Sequence, residues 1–488
     1  MGVSTYRAYE FLKGRESKTV IVAILDNGAE FTHEDLQGQY WINEDEISGN
    51  GIDDDNNGYI DDIHGWNFLG NQKGENIKRE TTELTRIFAR LREKYASRGL
   101  SVLNKEDSLE YVYYQDIKDT YEKEIQKKND DIRFYKFLIA NYKSAFTLLT
   151  EYFGHSNFNM DSILSVNSTN TSLAAAKKFM LGAIELKFDD KSLEGIVKNM
   201  EQDFETRLNP FFNVREEIVG DDPADLSDSI YGNNMVNAMS PYHGTGVAGT
   251  VAALWNESKV SGIVKNVKLM ILRVLPNGDE RDKDVALAIK YAVRNGADII
   301  NCSFGKMYSS HPEFVQHAIK EAERAGVLIV HAAGNDSKNN DSIPTYPTGC
   351  YQDGSRAKNW LSVGATGMRE NEMMIAQFSN YGKSTVDVFA PGVDIKSCAL
   401  GSKYDWASGT STAAPVVAGI AAVLKSYFPK LKAEWLKEII IQSVYKPKIK
   451  QVYLPSTKRF VSFENLSVSG GIVNLYKAIL LAESKYAD

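Results

Sequence analysis

The sequence predicts an α/β fold: a doubly wound, mostly parallel sheet with an inserted α-helical subdomain. Two observations predict it. Short apolar runs alternate with amphipathic segments in the second half of the chain, which favours parallel strands joined by right-handed crossovers. Between the first run and the others lies a long stretch that is rich in Lys, Glu, Tyr and Phe and poor in Gly and Pro. We therefore divide the 488 residues into a first part of the sheet domain at 1–74, a helical insert at 75–234 and a second part at 235–488.

Each predicted strand is a short, continuous apolar run, which is typical of a strand covered on both faces. The runs lie at 19–25, 267–275, 297–302, 327–332 and 360–364. Between the later runs, apolar residues at helical spacing predict helices at 283–295 and 312–325.

Apolar residues recur every three to four positions in the insert, which predicts about four amphipathic helices. An early segment carries Ile117, Tyr121 and Ile125 on one face, and the pattern continues over 173–186 and 192–208. We interpret these stripes as packing surface rather than as a cofactor site. The longest stripe consists of Phe134, Leu138, Tyr142, Phe146, Leu149 and Phe153.

Composition excludes several classes of protein. Hydrophobic residues make up 43% and charged residues 25%, which is typical of a globular protein. The net charge of −8 argues against nucleic acid as a partner, because phosphate binding needs a basic surface. The longest apolar run is too short to span a bilayer. Three widely spaced cysteines leave open one disulfide with a free thiol, or three free thiols.

Three polar residues lie where catalytic groups are expected. Asp26 ends an apolar run before a glycine turn, at the sheet edge where α/β folds place their sites. His243 and Ser411 each lie at the start of a small-residue helix, where free N–H groups favour negative charge. Singly, these residues are ordinary turn and cap residues. Together, their order along the chain is that of one known Asp-His-Ser triad.

Four motifs in order carry a resemblance to the subtilisin-like serine proteases, or subtilases. They lie at 23–36, 243–249, 331–335 and 409–415. The resemblance covers about 17–70 and 235–485 and leaves the insert outside. It implies a serine endopeptidase that hydrolyses peptide bonds through an acyl-enzyme intermediate.

The resemblance also implies the roles of the catalytic residues. Ser411 would be the nucleophile, His243 the general base and Asp26 the group that orients the imidazole. Asn335 would donate to the oxyanion. The chain departs from the usual family pattern at Asn27, Gly246 and Thr412, none of which transfers a proton.

An alternative function is a binding or scaffold protein that uses the helical insert on a degenerate protease fold. Degenerate copies lose a triad residue or the oxyanion asparagine, and all four are present here. The sequence therefore favours the enzyme.

The resemblance implies that an extended peptide substrate adds as a strand between two segments. Ala332, Ala333 and Gly334 would form a pocket wall. Acidic residues near these segments are consistent with basic substrate side chains or with ordinary surface acidity. The expected contacts are Ser303, Phe304, Gly305, Gly278, Asp279, Glu280, Gly334 and Asp336.

An acidic loop predicts a structural calcium site. Its oxygen ligands at alternating positions are Asp53, Asp55, Asn57 and Asp61, with Gly58 in the sixth position. His64 holds the twelfth position, so the loop is not an EF-hand, and an acidic turn without metal is the alternative. By resemblance, Asp35 and Asn256 suggest a second calcium site, although Lys259 replaces a glycine there.

The resemblance implies a secreted, periplasmic or cell-surface protein that acts on peptides or proteins. No export signal begins this sequence, so a cytoplasmic location is the alternative. We expect the insert to be a folded helical subdomain beside the active-site cleft that restricts large folded substrates. A remote structural decoration is the other interpretation, and the sequence does not identify a partner of the insert.

Overall fold

The computed structural model describes residues 2–95, 105–256, 259–457 and 459–486. The chain divides into two compact units. One unit comprises Met1–Glu83 with Asn213–Asp488, and the other comprises Leu84–Phe212.

The first unit is built on a seven-stranded parallel sheet with the strand order β2-β3-β1-β4-β5-β6-β7. Two antiparallel hairpins, β8 with β9 and β10 with β11, accompany it. The five predicted strands correspond to β1 and β3–β6. The strands are β1 (Val20–Asp26), β2 (Gly65–Asn67), β3 (Val267–Arg273), β4 (Ile299–Cys302), β5 (Leu328–Ala332), β6 (Trp360–Thr366), β7 (Val388–Pro391), β8 (Ile395–Ala399), β9 (Lys403–Ala407), β10 (Gln451–Tyr453) and β11 (Phe460–Ser462).

Both helices predicted for the sheet unit are present as α9 and α10. The helices of the first unit are α1 (Thr5–Phe11), α7 (Val214–Ile218), α8 (Tyr242–Ala252), α9 (Asp282–Arg294), α10 (Pro312–Ala325), α11 (Thr410–Tyr427), α12 (Ala433–Gln442) and α13 (Leu475–Tyr486). Those of the second unit, with α2 starting at the boundary, are α2 (Glu83–Tyr95), α3 (Lys105–Phe153), α4 (Met160–Ser165), α5 (Thr171–Glu185) and α6 (Asp190–Glu205).

Helices cover both faces of the sheet, which confirms the predicted doubly wound fold. Side chains alternate along β1, because successive residues of a strand face opposite sides. Val22 and Ile24 pack in one core with α8 and α11. Ala23 and Leu25 pack in the other core with α9 and α10. This burial on both sides is why the predicted strands are continuous apolar runs.

The sheet has a topological switch point at β1. Its neighbours are β3 on one side and β4 on the other, so the chain winds away from β1 in both directions. In open α/β sheets a crevice forms at the carboxyl ends of the strands at such a point. Asp26 is the last residue of β1 and so lies at this switch point.

The segments next to the insert pack with the sheet unit. Arg215 is buried, and its guanidinium lies 2.8 Å from the carboxylate of Asp284 on α9. On the other side, the N–H of Glu80 donates to the carbonyl of Asn277. The compact helical unit, Leu84–Phe212, is therefore shorter than the predicted insert of 75–234. The role of the insert stays a prediction.

The helical unit is organised around α3, which is 49 residues long. Leu149 on its second half is fully buried and packs in one core with Ile163 of α4 and Met180 of α5. Phe134, by contrast, is 57% exposed, so the predicted aromatic stripe is buried only in its later part.

The three cysteines Cys302, Cys350 and Cys398 are free thiols, which selects one of the two alternatives that the sequence left open. Within the described residues, no helix combines the length and apolarity needed to cross a membrane.

Candidate active site

Asp26 and His243 form a hydrogen-bonded pair at the end of β1. Asp26 is fully buried, and its Oδ1 accepts the N–H of Asn27 at 2.8 Å. His243 is the second residue of α8, and its Nδ1 lies 2.8 Å from Oδ1 and 2.9 Å from Oδ2 of Asp26. Because Nδ1 faces a carboxylate, the neutral imidazole keeps its proton on Nδ1. Nε2 is then the nitrogen that accepts a proton.

The start of α8 is fixed against the turn that follows β1. Asn27 Oδ1 accepts the N–H of Gly244 at 2.9 Å, which satisfies one of the free donors at this helix end. A Cβ on Gly244 would lie only 1.9 Å from the carbonyl oxygen of Gly28. Only glycine allows this close approach, and the approach sets the position of the preceding His243.

Two opposing effects act on the pKa of His243. Burial favours the neutral ring and lowers the pKa, whereas the charge of Asp26 and its hydrogen bond raise it. The effect of Asp26 prevails, so the pKa of His243 is raised above its ordinary value. The ring is still 36% exposed, so a substrate can reach it.

Ser411 and Asn335 face the same small space. Asn335 Oδ1 accepts the N–H of Thr410 at 2.8 Å and the hydroxyl of Thr410 at 3.0 Å, so the oxygen of this amide is bonded to α11. A Cβ on Gly409 would lie 2.9 Å from Ser411 Oγ and 3.6 Å from Asn335 Nδ2. The serine hydroxyl and the amide donor therefore lie side by side at the start of α11.

Ser303 ties Ser411 to the end of β4. Pro415 within α11 has no N–H, so the carbonyl of Ser411, four residues earlier, lacks its helical donor. Ser303 Oγ donates to this carbonyl at 2.9 Å. Asn301 Nδ2 in turn donates to Ser303 Oγ at 2.9 Å.

The two pairs lie at the same edge of the sheet because β1, β4 and β5 are adjacent and parallel. Asp26 ends β1, Ser303 follows β4 and Asn335 lies three residues beyond β5. A serine hydroxyl, an imidazole held by a carboxylate and an amide N–H at one edge are the kinds of group that acyl transfer needs.

The comparisons with known proteins agree with this chemistry. The sequence pattern described as the subtilase family matches residues 17–465. The chain belongs to the subtilase family. The match extends across the helical insert as well as the sheet unit.

Known relatives cover part of this subtilase. The thermophilic serine proteinase of Bacillus sp. strain AK1 is 40% identical over 186 residues, which are 38% of this chain and 42% of that protein. Subtilisin Savinase of Lederbergia lenta is 37% identical over 38% of this chain and 64% of that protein. A solved structure of proteases from Pseudoalteromonas arctica PAMC 21717 is 30% identical over 49% of this chain and 70% of that chain, with a TM-score of 0.39. The chain spans about half the length of the curated relatives that it matches.

The expected substrate segments of this subtilase differ in exposure. Ser303 and Phe304 are buried, whereas Gly305, Asn335 and Asp336 are exposed.

The acidic pair at 279–280 is turned toward the protein. Glu280 is buried, so its side chain offers no charge to a substrate at the surface. Asp279 Oδ2 accepts the N–H of Glu83. The expected role of this pair in selecting basic side chains therefore gains no support from the structure.

The segment around Gly278 forms backbone hydrogen bonds with residues 78–81. Asn277 donates to the carbonyl of Lys78, and Asp279 donates to that of Thr81. Gly278 itself lies at a bend between these two residues and is half-buried. The sequence did not predict this pairing, because 78–81 carries no strand-like apolar run.

The predicted calcium loop folds into tight turns between β1 and β2. The carboxylate of Asp53 accepts the N–H groups of Asn57 at 3.0 Å and Gly58 at 2.8 Å. Asp55 Oδ2 accepts from the amide of Asn57 at 2.9 Å. The turns thus gather Asp53, Asp55 and Asn57, and their role as metal ligands stays a prediction.

Asp61 is directed elsewhere, which corrects the predicted ligand set. Its carboxylate accepts the N–H groups of residues 49, 50 and 51. The oxygens that converge belong instead to Glu46, Asp55 and Asp62, all within 4.8 Å of one another. Burial raises the pKa of Glu46 and of Asp62, and the negative charge of Asp55 adds to the effect in both.

The residues of the predicted second site are adjacent but already bonded. Asp35 Oδ1 accepts from Asn256 Nδ2 at 3.0 Å, and its Oδ2 accepts from the hydroxyl of Tyr404 at 2.7 Å. A calcium ion would have to displace these donors, and the second site stays a prediction.

Proposed function

We propose that the protein is a serine endopeptidase that hydrolyses peptide bonds through an acyl-enzyme intermediate. The observation that carries the proposal is the placement of Asp26–His243 and Ser411–Asn335 at one edge of the sheet. Family membership supports it.

In the proposed reaction, Ser411 Oγ attacks the carbonyl carbon of the scissile bond while His243 Nε2 takes the hydroxyl proton. Asp26 holds the imidazole in the right tautomer and stabilises the imidazolium. The carbonyl oxygen becomes negative and accepts a hydrogen bond from Asn335 Nδ2. His243 then protonates the leaving amine, the C–N bond breaks, and water hydrolyses the ester on Ser411 by the same steps.

We propose that the substrate lies extended between the segments 303–305 and 278–280. Pairing of a peptide with exposed backbone groups supplies affinity without regard to sequence. The exposure of Gly305 supports this placement. By resemblance, such an enzyme acts outside the cytoplasm.

An assay on an unfolded protein substrate tests the proposed function. We expect casein to be cleaved, and the cleavage to stop after treatment with a serine-directed phosphonofluoridate. Iodoacetamide should leave the activity unchanged, because the proposed nucleophile is not one of the three free thiols. Absence of cleavage by well-folded protein would contradict the proposal and favour a binding or scaffold function.

Asn335→Ala should lower kcat by about 10²–10³-fold, or about 2.7–4 kcal/mol, with little change in KM. This magnitude is the one known for the corresponding donor in subtilisin, a member of the family. The physical reason is that Nδ2 donates to the oxygen only after it becomes negative. Steady-state kinetics on a short peptide substrate measure the effect, with Asn339→Ala as the control. An equal rise in KM at constant kcat would show that Asn335 only binds substrate.

We propose that calcium binds at the loop between β1 and β2. The ligands would come from Glu46, Asp55 and Asp62, with Asn57 beside them. Hard oxygen donors of this kind suit calcium, and a dication would offset the concentrated negative charge that raises the pKa of Glu46 and Asp62. Its effect would be to stabilise the fold rather than to take part in catalysis.

Chelation should lower the melting temperature, because a ligand that binds only the folded state stabilises it by mass action. The gain is about 2.7 kcal/mol at a hundredfold excess over Kd. Differential scanning calorimetry in chelator and in millimolar calcium measures it. Asp55→Asn should reduce the calcium-dependent shift, whereas the exposed Asp45→Asn should retain it. Identical melting curves with and without calcium would rule out a reversible site.

A further inference from the structure

The geometry of the site defines where one substrate side chain must lie. The residue on the acyl side of the scissile bond carries the carbonyl that Ser411 attacks. Ser303 donates a hydrogen bond to the carbonyl of Ser411. The segment from Ser303 to Gly305 forms one wall beside the serine. On the other side Gly334 directly precedes Asn335. In the proposed binding mode, which follows from the family resemblance, the side chain of this substrate residue lies between Gly305 and Gly334.

One side chain of the protein already reaches both walls of this space. Thr345 Cγ2 lies 2.6 Å from the position that a Cβ on Gly305 would occupy. Thr345 Oγ1 lies 3.2 Å from the position of a Cβ on Gly334. Thr345 therefore lies next to both glycines and limits the depth of the space between them.

Thr345 is held in this position by two amides. Asn380 Nδ2 donates to Thr345 Oγ1 at 3.2 Å, and Asn380 is only 1% exposed. Thr345 Oγ1 lies 3.4 Å from Asn340 Oδ1. Both amides also donate to the carbonyl of Ala333 in the adjacent wall. A β-branched side chain with its hydroxyl so fixed cannot swing aside without breaking these bonds.

The groups beneath the space are uncharged. His331 Nε2 lies 3.6 Å from the Cβ position of Gly305, and its ring packs against Trp360 at 4.9 Å between centroids. Burial lowers the pKa of His331 to about 3, so the ring is neutral at ordinary pH. A lysine or arginine side chain would find no opposite charge in Thr345, Asn380 or His331.

We propose that Thr345 closes the pocket between Gly305 and Gly334 and restricts the acyl-side residue of the substrate to alanine, serine or glycine. The inference rests on the proposed peptidase function and names its primary specificity. A phenylalanine or leucine side chain meets Thr345 before it is buried. A pocket of fixed depth rejects a larger side chain by about 10–200-fold for each methylene that does not fit.

Kinetics on succinyl-Ala-Ala-Pro-X p-nitroanilides, with X as Ala, Leu, Phe or Lys, test the inference. We expect kcat/KM for the Ala substrate to exceed that for Phe by at least about tenfold. Thr345→Gly should raise the Phe to Ala ratio about 100-fold by opening the pocket. Thr345→Val has the same shape without the hydroxyl, so it should keep the preference for Ala. Thr345→Ala, a milder change, should shift the ratio in the same direction as glycine.

A phosphonofluoridate without a pocket-filling group separates the two proposals, because it labels an active serine whatever the pocket admits. Labelled protein that cleaves Phe or Leu substrates as well as Ala overturns the inference and leaves the peptidase intact. So does an unchanged ratio in labelled Thr345→Gly and Thr345→Ala. Folded protein that is neither labelled nor active on any substrate overturns the peptidase, and the inference with it. Cleavage sites mapped in a denatured protein should show small acyl-side residues; large ones contradict the inference.

Discussion

Replacing Ser411 with alanine is expected to lower kcat for peptide hydrolysis by about 10⁶-fold, the magnitude known for the nucleophile of subtilisin, a member of the family. The physical reason is that the acyl-enzyme cannot form without Oγ. Only the oxyanion donor and substrate binding then remain to favour the reaction. Steady-state and single-turnover kinetics on a short peptide substrate measure the loss.

The fold should survive this change, because a partly exposed hydroxyl is removed while α11 and its backbone bonds stay in place. Ser484→Ala on α13, far along the chain, is the matched control and should keep full activity. Residual activity within tenfold of the parent in Ser411→Ala would show that another group is the nucleophile.

Asp26→Asn should lower kcat by about 10⁴-fold, as known for the corresponding change in another triad protease. Asp26 accepts a hydrogen bond from Nδ1–H of His243, whereas an asparagine amide can donate to Nδ1 and favour the wrong tautomer. Nε2 would then carry the proton and could not act as base. The size of the loss in kcat, measured in a variant whose fold is unchanged, distinguishes a role of Asp26 in orienting His243 from a role in substrate binding.

We expect Asp26→Asn to change the pH dependence of the activity as well. His243 acts as base only when neutral, so activity falls as the pH drops through its pKa. Asp26 raises that pKa. Removing its charge lets burial dominate, so the acid limb of the kcat/KM profile should move to lower pH. An acid limb that stays in place would show that His243 does not set it.

Sequence patterns predicted five of the seven strands of the sheet and missed the short strands β2 and β7. Strands buried on two faces must be continuously apolar, so β1 and β3–β6 were visible as runs. The sequence also contains evidence for the length of α3. No glycine or proline interrupts Lys105–Phe153, and nothing local ends a helix there.

The carboxylates that we propose as calcium ligands show why alternation is a weak guide in turns. Asn56 and Asp61 adopt positive φ values of 56° and 52°, which rotates the chain out of the regular alternation. Asp62 rather than Asp61 thereby joins Asp55, and Glu46 comes from a preceding turn. Such ligands depend on backbone conformations that non-glycine residues seldom adopt, and no sequence pattern predicts these conformations.

Thr345 illustrates a second limit. Its contacts with Gly305 and Gly334 depend on how separate loops meet beyond β4 and β5. No motif contains it, and its spacing along the chain carries no periodic signal. The family resemblance implies the walls of the proposed pocket, whereas its depth depends on the folded chain.

Mass spectrometry after reaction with diisopropyl fluorophosphate tests the central claim most directly. The account predicts one adduct, mapped to Ser411, that is absent in Ser411→Ala and forms slowly in Asp26→Asn. The Ser484→Ala control should be labelled at the parent rate. An adduct on another residue, or no adduct in protein that melts cooperatively, would contradict the assignment of Asp26, His243 and Ser411 as a catalytic triad.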